Sequence, residues 1–353
     1  PVTSADLFLA NSGTSIRFLT ATLCAANGQY RLDGVARMRT RPIADLIKAL
    51  QPLGGRVRIL NRENPDCPPV MVEARGLTGG WTTVAGNISS QFLSGLMLVA
   101  PMAQSDVWVK VEGELVSKPY VAMTAAVMRG FGAEVTELES GSYRVDSSRK
   151  YRAAEYSIEP DASAASYYWA SAAIVGGRAR VEGLNQYSLQ GDVRFCEVLR
   201  QMGCRVEYLP NAIEVVRGTG LSGVDVDMSD ISDTVQTLAA GALFAEGATT
   251  VRGVAHNRVK ETDRISDLAR ELRKLGAEIQ EYEDGLTIYP PARVRPAEIE
   301  TYDDHRMAMS LAIVGLQAEG IVIRDPDCTA KTYPGFWKDL AKFTNCRIIA
   351  SGG

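Results

Sequence analysis

Aromatic residues make up only 7% of this 353-residue chain, histidine occurs twice and cysteine six times. No histidine stands at metal-ligand spacing, and Cys24, Cys67, Cys196, Cys204, Cys328 and Cys346 are scattered with no C-x-x-C. That excludes a zinc motif and a dithiol redox motif, and leaves reduced, buried thiols in a cytoplasmic protein as the expectation. No run of 18 apolar residues exists to span a bilayer, and the opening "PVTSADLFLA" lacks the basic and apolar regions of a signal peptide. The sequence therefore points to neither a membrane nor export. An excess of positive charge is also missing: 38 Lys and Arg face 42 Asp and Glu, for a net charge of -4. With no RNP, zinc-finger or basic-helix pattern, nothing attracts nucleic acid globally, so any bound anion must be held by a local cluster.

What is present is a globular composition, 46% hydrophobic and 23% charged, on a chain too long for one ordinary core. It also repeats. "LQPLGGRV" (50–57), "VMRGFGAEV" (127–135), "LRQMGCRV" (199–206) and "LRKLGAEI" (272–279) each read as a helix, a glycine stop and a strand. Gly54, Gly132, Gly203 and Gly276 lie 78, 71 and 73 residues apart, and "LAKFTNCRI" (340–348) is a degenerate fifth copy with Asn345 at the cap. Before each ending stand a polar cluster, a first helix, a short strand, a polar loop and a second helix. The first helices are expected at 14–28, 91–101, 163–177, 233–247 and 305–320; they are apolar nearly all round and rich in Ala, Ser and Gly, as buried helices are.

Polar residues gather at two equivalent places in these copies. One is the start of the first helix: Asn11, Ser12, Gly13 and Thr14; Ser89, Ser90 and Gln91; Asp161; Asp233; and Asp303 to Arg306. The other is the loop into the second helix: Arg37, Arg39 and Arg41; Ser117, Lys118 and Tyr120; Gln190; His256 to Lys260; and Lys331. Helix N-termini carry unpaired N–H groups and partial positive charge, so these are anion sites or ordinary caps. Alternation predicts that Arg37, Arg39 and Arg41 project one way from an extended segment, with Asp45 able to answer only one of them. In "HNRVKETDR" (256–264), Glu261 and Asp263 read as the acidic start of a helix, with Lys260 and Arg264 four apart on one face. Clustered bases beside Asp233, Asp304 and Glu261 suggest a small substrate with several phosphates or carboxylates, and acids and bases for proton transfer.

The motifs "LANSGTSIRFLTA", "RMRTRPIADLIKAL", "GNISSQFLSGLMLVAP", "SKPYVAMT", "PDASAASYYWASAAIVGG", "RVKETDRISDLARELRKLGAE", "DDHRMAMSLAI" and "CTAKTYPGF" occur in order. Together they resemble the 5-enolpyruvylshikimate-3-phosphate synthase family over essentially the whole length. The resemblance implies a two-domain inside-out α/β barrel of βαβαββ units, six in the family against the five counted here. It also implies an N-terminal truncation, with 1–158 as one domain lacking its first unit and 159–353 as the second lacking its opening strand.

The activity implied is transfer of the carboxyvinyl group of phosphoenolpyruvate to the 5-hydroxyl of shikimate 3-phosphate. No metal or organic cofactor, no nucleic acid and no membrane is implied, and a monomer is expected. Carried over position by position, Ser89, Ser90 and Ser117 hold the shikimate phosphate, with Gln91 and Tyr120 beside the ring. Asp233 matches the base for the 5-hydroxyl, and Lys260, which also contacts shikimate, and Glu261 match the proton donors. Arg41, Arg264, Arg306 and Lys331 match the phosphoenolpyruvate ligands, with the backbone near Gly13, a glycine that resembles glyphosate-sensitive members.

The chain departs from the family in two respects. An early lysine–serine pair and a nearby arginine have no counterpart, and His256 stands where many members have Asn. A related group acting on UDP-N-acetylglucosamine usually carries a reactive cysteine before R-P-x-D, and "VARMRTRPIADL" has none. A non-catalytic anion-binding remnant is the alternative of a different class.

Overall fold

The computed structural model describes residues 2–138, 141–344, 346, 348 and 349. The chain divides into two compact units, Pro1–Ser157 with Val259–Glu261, and Ile158–Arg258 with Thr262–Gly353. Two complete copies of one βαβαββ motif build the first unit. Strand Ser4–Phe8 leads through helix α1 (Gly13–Cys24) to Asn27–Asp33, then through α2 (Ala44–Leu50) to the antiparallel pair Val57–Ile59 and Val70–Arg75. The second copy runs Gly80–Ala85, α3 (Ser90–Val99), Val107–Glu112, α4 (Lys118–Gly130), Glu134–Leu138 and Ser142–Asp146. Both sheets have the same strand order: the leading strand lies parallel beside the strand that follows the first helix, and the hairpin completes the other side.

Three further copies build the second unit. In the first, α5 (Ala162–Val175) and α6 (Phe195–Gln201) belong to a three-stranded sheet of Arg178–Glu182, Arg205–Leu209 and Ala212–Val216. The next is complete, with α7 (Val235–Ala242), α8 (Ser266–Lys274) and a four-stranded sheet whose leading strand Asp225–Asp227 runs parallel to Thr249–Arg252. The last pairs Ala297–Ile299 in parallel with Ile321–Ile323 around α9 (His305–Ala312) and ends in α10 (Phe336–Thr344). These are the five copies expected from the repeats; Asn345, the proposed fifth cap, lies outside the described residues.

Packing follows the pattern of the sequence. Val70, Val72 and Ala74 are buried and alternate with the more exposed Met71, Glu73 and Arg75, so this sheet covers the core with one face and meets water with the other. Underneath, eleven of the fourteen residues of α5 and all eight of α7 are buried, which explains why these helices show no polar face. The first helices stop earlier than their apolar runs, since α1 ends at Cys24 and α9 at Ala312, and the chain tightens into turns before the next strand. The four glycine stops share one geometry. Gly54, Gly132, Gly203 and Gly276 have φ of 91°, 88°, 104° and 97°, and each donates its N–H to the carbonyl three residues earlier at 2.9–3.0 Å. A side chain in that left-handed region would be strained, so glycine is required there.

Several hydroxyls inside the core pair across helices. Thr237 Oγ1 lies 3.1 Å from both Ser166 Oγ and Ser310 Oγ, joining α5, α7 and α9 through one small polar contact. In the first unit Ser94 Oγ meets Thr124 Oγ1 at 2.8 Å between α3 and α4. Cys24, Cys67, Cys196, Cys204 and Cys328 are free and buried, and burial pushes the Cys24 thiol up to about 12, so it is unreactive at neutral pH. No helix among the described residues is long and apolar enough to cross a membrane.

Replacing Thr237 by the isosteric valine removes both bonds at once; Ser166 keeps its bond to the Ser163 carbonyl at 2.6 Å, whereas the Ser310 hydroxyl loses its Thr237 partner. We expect Thr237→Val to lower the unfolding free energy by about 1–3 kcal/mol in urea titrations, and the double change Thr237→Val, Ser310→Ala to cost less than the single one.

Candidate functional site

The parallel pairing fixes where the polar loops go. In each copy with a leading strand, the loop into the first helix and the loop into the second both leave the C-terminal ends of two neighbouring parallel strands. Asn11 to Thr14 therefore share an end with Arg37 to Arg41, Ser89 to Gln91 with Ser117 to Tyr120, Asp233 with His256, and Asp304 with Lys331. Backbone strain is confined to the same loops. The non-glycine residues with positive φ among those described are Ala10, Ser117, Tyr302, Asp303 and Asp325, all between the end of a parallel strand and the helical turn that follows it. Holding such residues in the left-handed region costs on the order of 1 kcal/mol each, a cost concentrated where the sequence places its polar residues.

In the first unit the site is built on the N-termini of α1, α3 and α4. Ser89 caps α3, accepting from the N–H of Gln91 at 3.3 Å, while Ser90 is buried and Ser117, at φ 52°, precedes α4 and is buried. Gln91 is clamped from both sides: its Oε1 accepts from Arg17 Nη1 at 2.8 Å and its Nε2 donates to Thr14 Oγ1 at 2.9 Å. Tyr120 is half-buried in the first turn of α4. Arg41 is 3% exposed; it donates to the Asn11 carbonyl at 3.0 Å and lies 3.5 Å from Glu261 within this unit. Gly13 sits directly against it, since a Cβ there would fall 2.5 Å from Arg41 Nη2.

Arg17 was not singled out by the sequence reading. It is the one charged residue of α1, 4% exposed, packed over the Phe92 ring and donating to the Pro42 carbonyl at 3.0 Å. Burial first, and then the neighbouring Arg41, lower its guanidinium to about 9. A lone cation within an otherwise apolar buried helix was the signal that could have found it. Two dry guanidiniums side by side repel each other, which an anion between them relieves.

In the second unit Asp233 stands in the turn before α7 and is reached by two arginines. Arg264 Nη1 donates to its Oδ1 at 3.0 Å and Arg306 Nη2 to its Oδ2 at 2.8 Å. Arg264, 1% exposed, also grips Asp304 with two bonds of 2.7 and 3.2 Å. Asp304 meanwhile caps α9 by accepting the Arg306 N–H at 2.8 Å. Lys331 is exposed at the end of the turn Pro326–Lys331. The cavity of about 600 Å³ lined by Ile174, Leu243, Phe244, Pro291 and Gln317 contains none of these residues.

Two expectations are corrected. "HNRVKETDR" does not begin an α-helix: Ala255–Val259 is a 3-10 turn and α8 starts only at Ser266, whose N–H donates to Asp263 Oδ1 at 3.0 Å. Lys260 and Arg264 therefore share no helical face; Arg264 turns inward to its two acids, and the Lys260 carbonyl accepts from Arg37 at 2.9 and 3.2 Å. His256, buried, pairs its Nε2 with Ser232 Oγ at 2.9 Å. Nor do Arg37, Arg39 and Arg41 point one way. A 3-10 turn at Met38–Thr40 breaks the extended run, so Arg39 pairs with Asp33 at 2.8 Å, Arg41 is buried, and Asp45 answers Lys48 instead.

Repeated α/β units gather helix N-termini and guanidiniums at the strand ends, an arrangement suited to small, multiply charged anions. A family profile described as EPSP synthase (3-phosphoshikimate 1-carboxyvinyltransferase) matches residues 1–340, and the chain belongs to that family. A protein named 3-phosphoshikimate 1-carboxyvinyltransferase from Nostoc punctiforme is 47% identical over 337 residues, covering 96% of this chain and 78% of that protein. The protein of the same name from Marinomonas sp. is 46% identical over 334 residues, 94% of this chain and 78% of its own. The solved structure of EPSP synthase from Acinetobacter baumannii superposes with a TM-score of 0.75 at 27% identity, over 96% of this chain and 78% of that one.

The Arg264–Asp304 pair is dry on both sides, at 1% and 0% exposure. Removing Asp304 leaves the buried Arg264 with Asp233 as a remaining acceptor, so Asp304→Ala is expected to cost about 1.5–3 kcal/mol in denaturant titrations, and a loss below about 0.5 kcal/mol would show that the pair contributes little.

Proposed function

We propose that this chain transfers the carboxyvinyl group of phosphoenolpyruvate to the 5-hydroxyl of shikimate 3-phosphate, releasing inorganic phosphate, in the shikimate pathway to aromatic amino acids. The observation that carries this reading is the gathering of guanidiniums about carboxylates: Arg17 beside Arg41, itself 3.5 Å from Glu261, in one unit, and buried Arg264 with half-buried Arg306 around Asp233 in the other. Both sets suit anionic substrates, and the second places an anion next to a proton acceptor.

In this reading Ser89, Ser90 and Ser117 hold the shikimate phosphate, supported by the α3 N-terminus and the strained backbone of Ser117. Gln91 and Tyr120 bear on the ring, Gln91 being fixed by Arg17 and Thr14. Arg41, Arg264, Arg306 and Lys331 bind phosphoenolpyruvate, with the Gly13 backbone close to Arg41. Asp233 takes the proton of the 5-hydroxyl as its oxygen attacks C2 of phosphoenolpyruvate, and Lys260 or Glu261 delivers a proton to the methylene carbon. A tetrahedral ketal results. Loss of a proton from the new methyl group with departure of phosphate restores the double bond, so the proton donor of the first step is the acceptor of the second. Guanidiniums that pair with Asp233 in the free protein exchange it for the arriving anion, and that exchange couples phosphoenolpyruvate binding to the freeing of the base.

The two units are, in the same reading, enolpyruvyl-transferase domains, 1–158 and 159–353. The protein is a cytoplasmic monomer that acts without a membrane, and it is a target of glyphosate, an anion that competes for the Arg41 and Gly13 region.

Phosphate release from phosphoenolpyruvate with shikimate 3-phosphate tests the reading. Turnover that falls about 100-fold or more in Asp233→Asn is expected, and a folded chain that releases no phosphate overturns it. Gly13→Ala gives a second check. Its methyl group would collide with a guanidinium already tied to the Asn11 carbonyl, so the KM for phosphoenolpyruvate should rise about tenfold while glyphosate inhibition weakens. An unchanged KM would separate Arg41 from phosphoenolpyruvate.

A further inference from the structure

Asp192 is a buried acid that the chemistry above leaves without a role. It lies in the turn Gly191–Arg194, after strand Arg178–Glu182, and is 3% exposed. Its Oδ2 accepts a hydrogen bond from Ser163 Oγ in the first turn of α5. Ser163 Oγ is in turn 3.4 Å from Arg306 Nη2, the nitrogen that donates to Asp233 at 2.8 Å. Nη1 of the same guanidinium is 3.5 Å from Tyr167 Oη.

We infer that Asp192 and Ser163 are positioning residues, holding the Arg306 guanidinium between Asp233 and an incoming anion. The inference rests on Arg306 binding phosphoenolpyruvate as proposed above. Arg306 is only half-buried, and a guanidinium tied to Asp233 alone would swing with whichever charge pulled harder. The Ser163 hydroxyl gives it a second hold. A carboxylate that accepts the hydroxyl proton makes the hydroxyl oxygen a stronger acceptor toward Arg306, as hydrogen bonds in series polarise one another. An exposed acid could not do this as well, since water would compete for the serine.

The charges facing Asp192 include Asp233 in the turn before α7, Arg306 on α9 and Asp161 at the cap of α5. Burial above all, and then Asp233, push its carboxyl up to about 6, against the opposing pull of Arg306. Below that pH the acid is neutral and its hold on the Ser163 proton weakens, so the grip on Arg306 loosens as pH falls through about 6. The folded value lies above the unfolded one of 3.8, so ionisation subtracts stability as pH rises from 3.8 to about 6, and the loss persists at neutral pH. Asp192→Asn, which keeps the shape and removes the charge, should therefore be at least as stable as the parent at pH 7.

The experiment compares the parent, Asp192→Asn, Ser163→Ala, Ser163→Thr and the double variant Asp192→Asn, Ser163→Ala by steady-state kinetics from pH 5.5 to 8. The 15N-edited resonance of the Arg306 Nε–H group is recorded on the same samples without substrate. Either single loss should raise the KM for phosphoenolpyruvate about tenfold with little change in kcat, the double variant should be no worse than either, and Ser163→Thr should restore the parent value. The rise of KM on acidification should be flatter in Asp192→Asn than in the parent, a difference that a purely structural role would not produce. Values of KM in both single variants within about twofold of the parent overturn the inference while leaving the proposed function intact. If the parent itself releases no phosphate, the functional reading falls instead, and the arginine resonance decides: movement in both variants supports the positioning role, and coincidence with the parent overturns it.

Discussion

Parallel pairing between each leading strand and the strand after its buried helix is the constraint on which the rest depends. Two parallel neighbours cannot be joined by a tight turn, so the chain must cross through a helix and start the second strand from the same end. Both following loops then leave the sheet at one edge. Repetition of the motif collects at like edges the N-termini of helices, the strained residues Ser117 and Asp303, and the charged side chains. Polar and strained residues concentrate there for a topological reason before any individual residue is chosen.

Burying the crossover helices has an electrostatic consequence. A helix such as α3 or α9, packed on all sides by small and apolar groups, presents its N-terminal N–H groups in a medium that screens them poorly. Serine at 89 and aspartate at 304 satisfy one donor each. Guanidiniums brought to the same ends are costly to desolvate, and the two units offset that cost differently. In the first, Arg17 and Arg41 share a glutamine, backbone carbonyls and Glu261, an arrangement poor in negative charge and suited to receiving it. In the second, Arg264 and Arg306 are met by Asp233 and Asp304, so an anion reaching them would compete with carboxylates.

Much of this was legible in the sequence because it is written in local rules. The glycine stops mark a backbone requirement that no other residue meets without strain, and all four lie in the left-handed region. The all-round apolar helices announced their own burial. What failed to be legible were features decided by turns and distant partners. Periodicity made "HNRVKETDR" look helical, but Arg264 is drawn 40 residues along the chain to Asp304, and an ion pair buried on both sides outweighs a few tenths of a kcal/mol of helix preference. Likewise the alternation of Arg37, Arg39 and Arg41 held no information about the 3-10 turn that separates them. Arg17 and Asp192 escaped notice for a shared reason: each can pass for an ordinary surface charge in the local sequence, and its burial is what reveals it.

The repeats also explain how one motif came to carry unlike chemistry. The core contacts that every copy needs are small and interchangeable, such as Ser94 with Thr124 in one unit and Ser166 with Thr237 and Ser310 in the other. They fix the helices without reference to what stands at the loop end. A copy can therefore exchange serines for acids at that end, as between the start of α3 and the turn before α7, while leaving the frame intact. The frame limits this freedom where Gly13 touches Arg41: there a side chain of the loop and the backbone of the helix occupy adjoining space, and a single methyl group on one displaces the other. The loop end is thus permissive in charge but exacting in volume, which is the property expected of a surface shaped around a small anion.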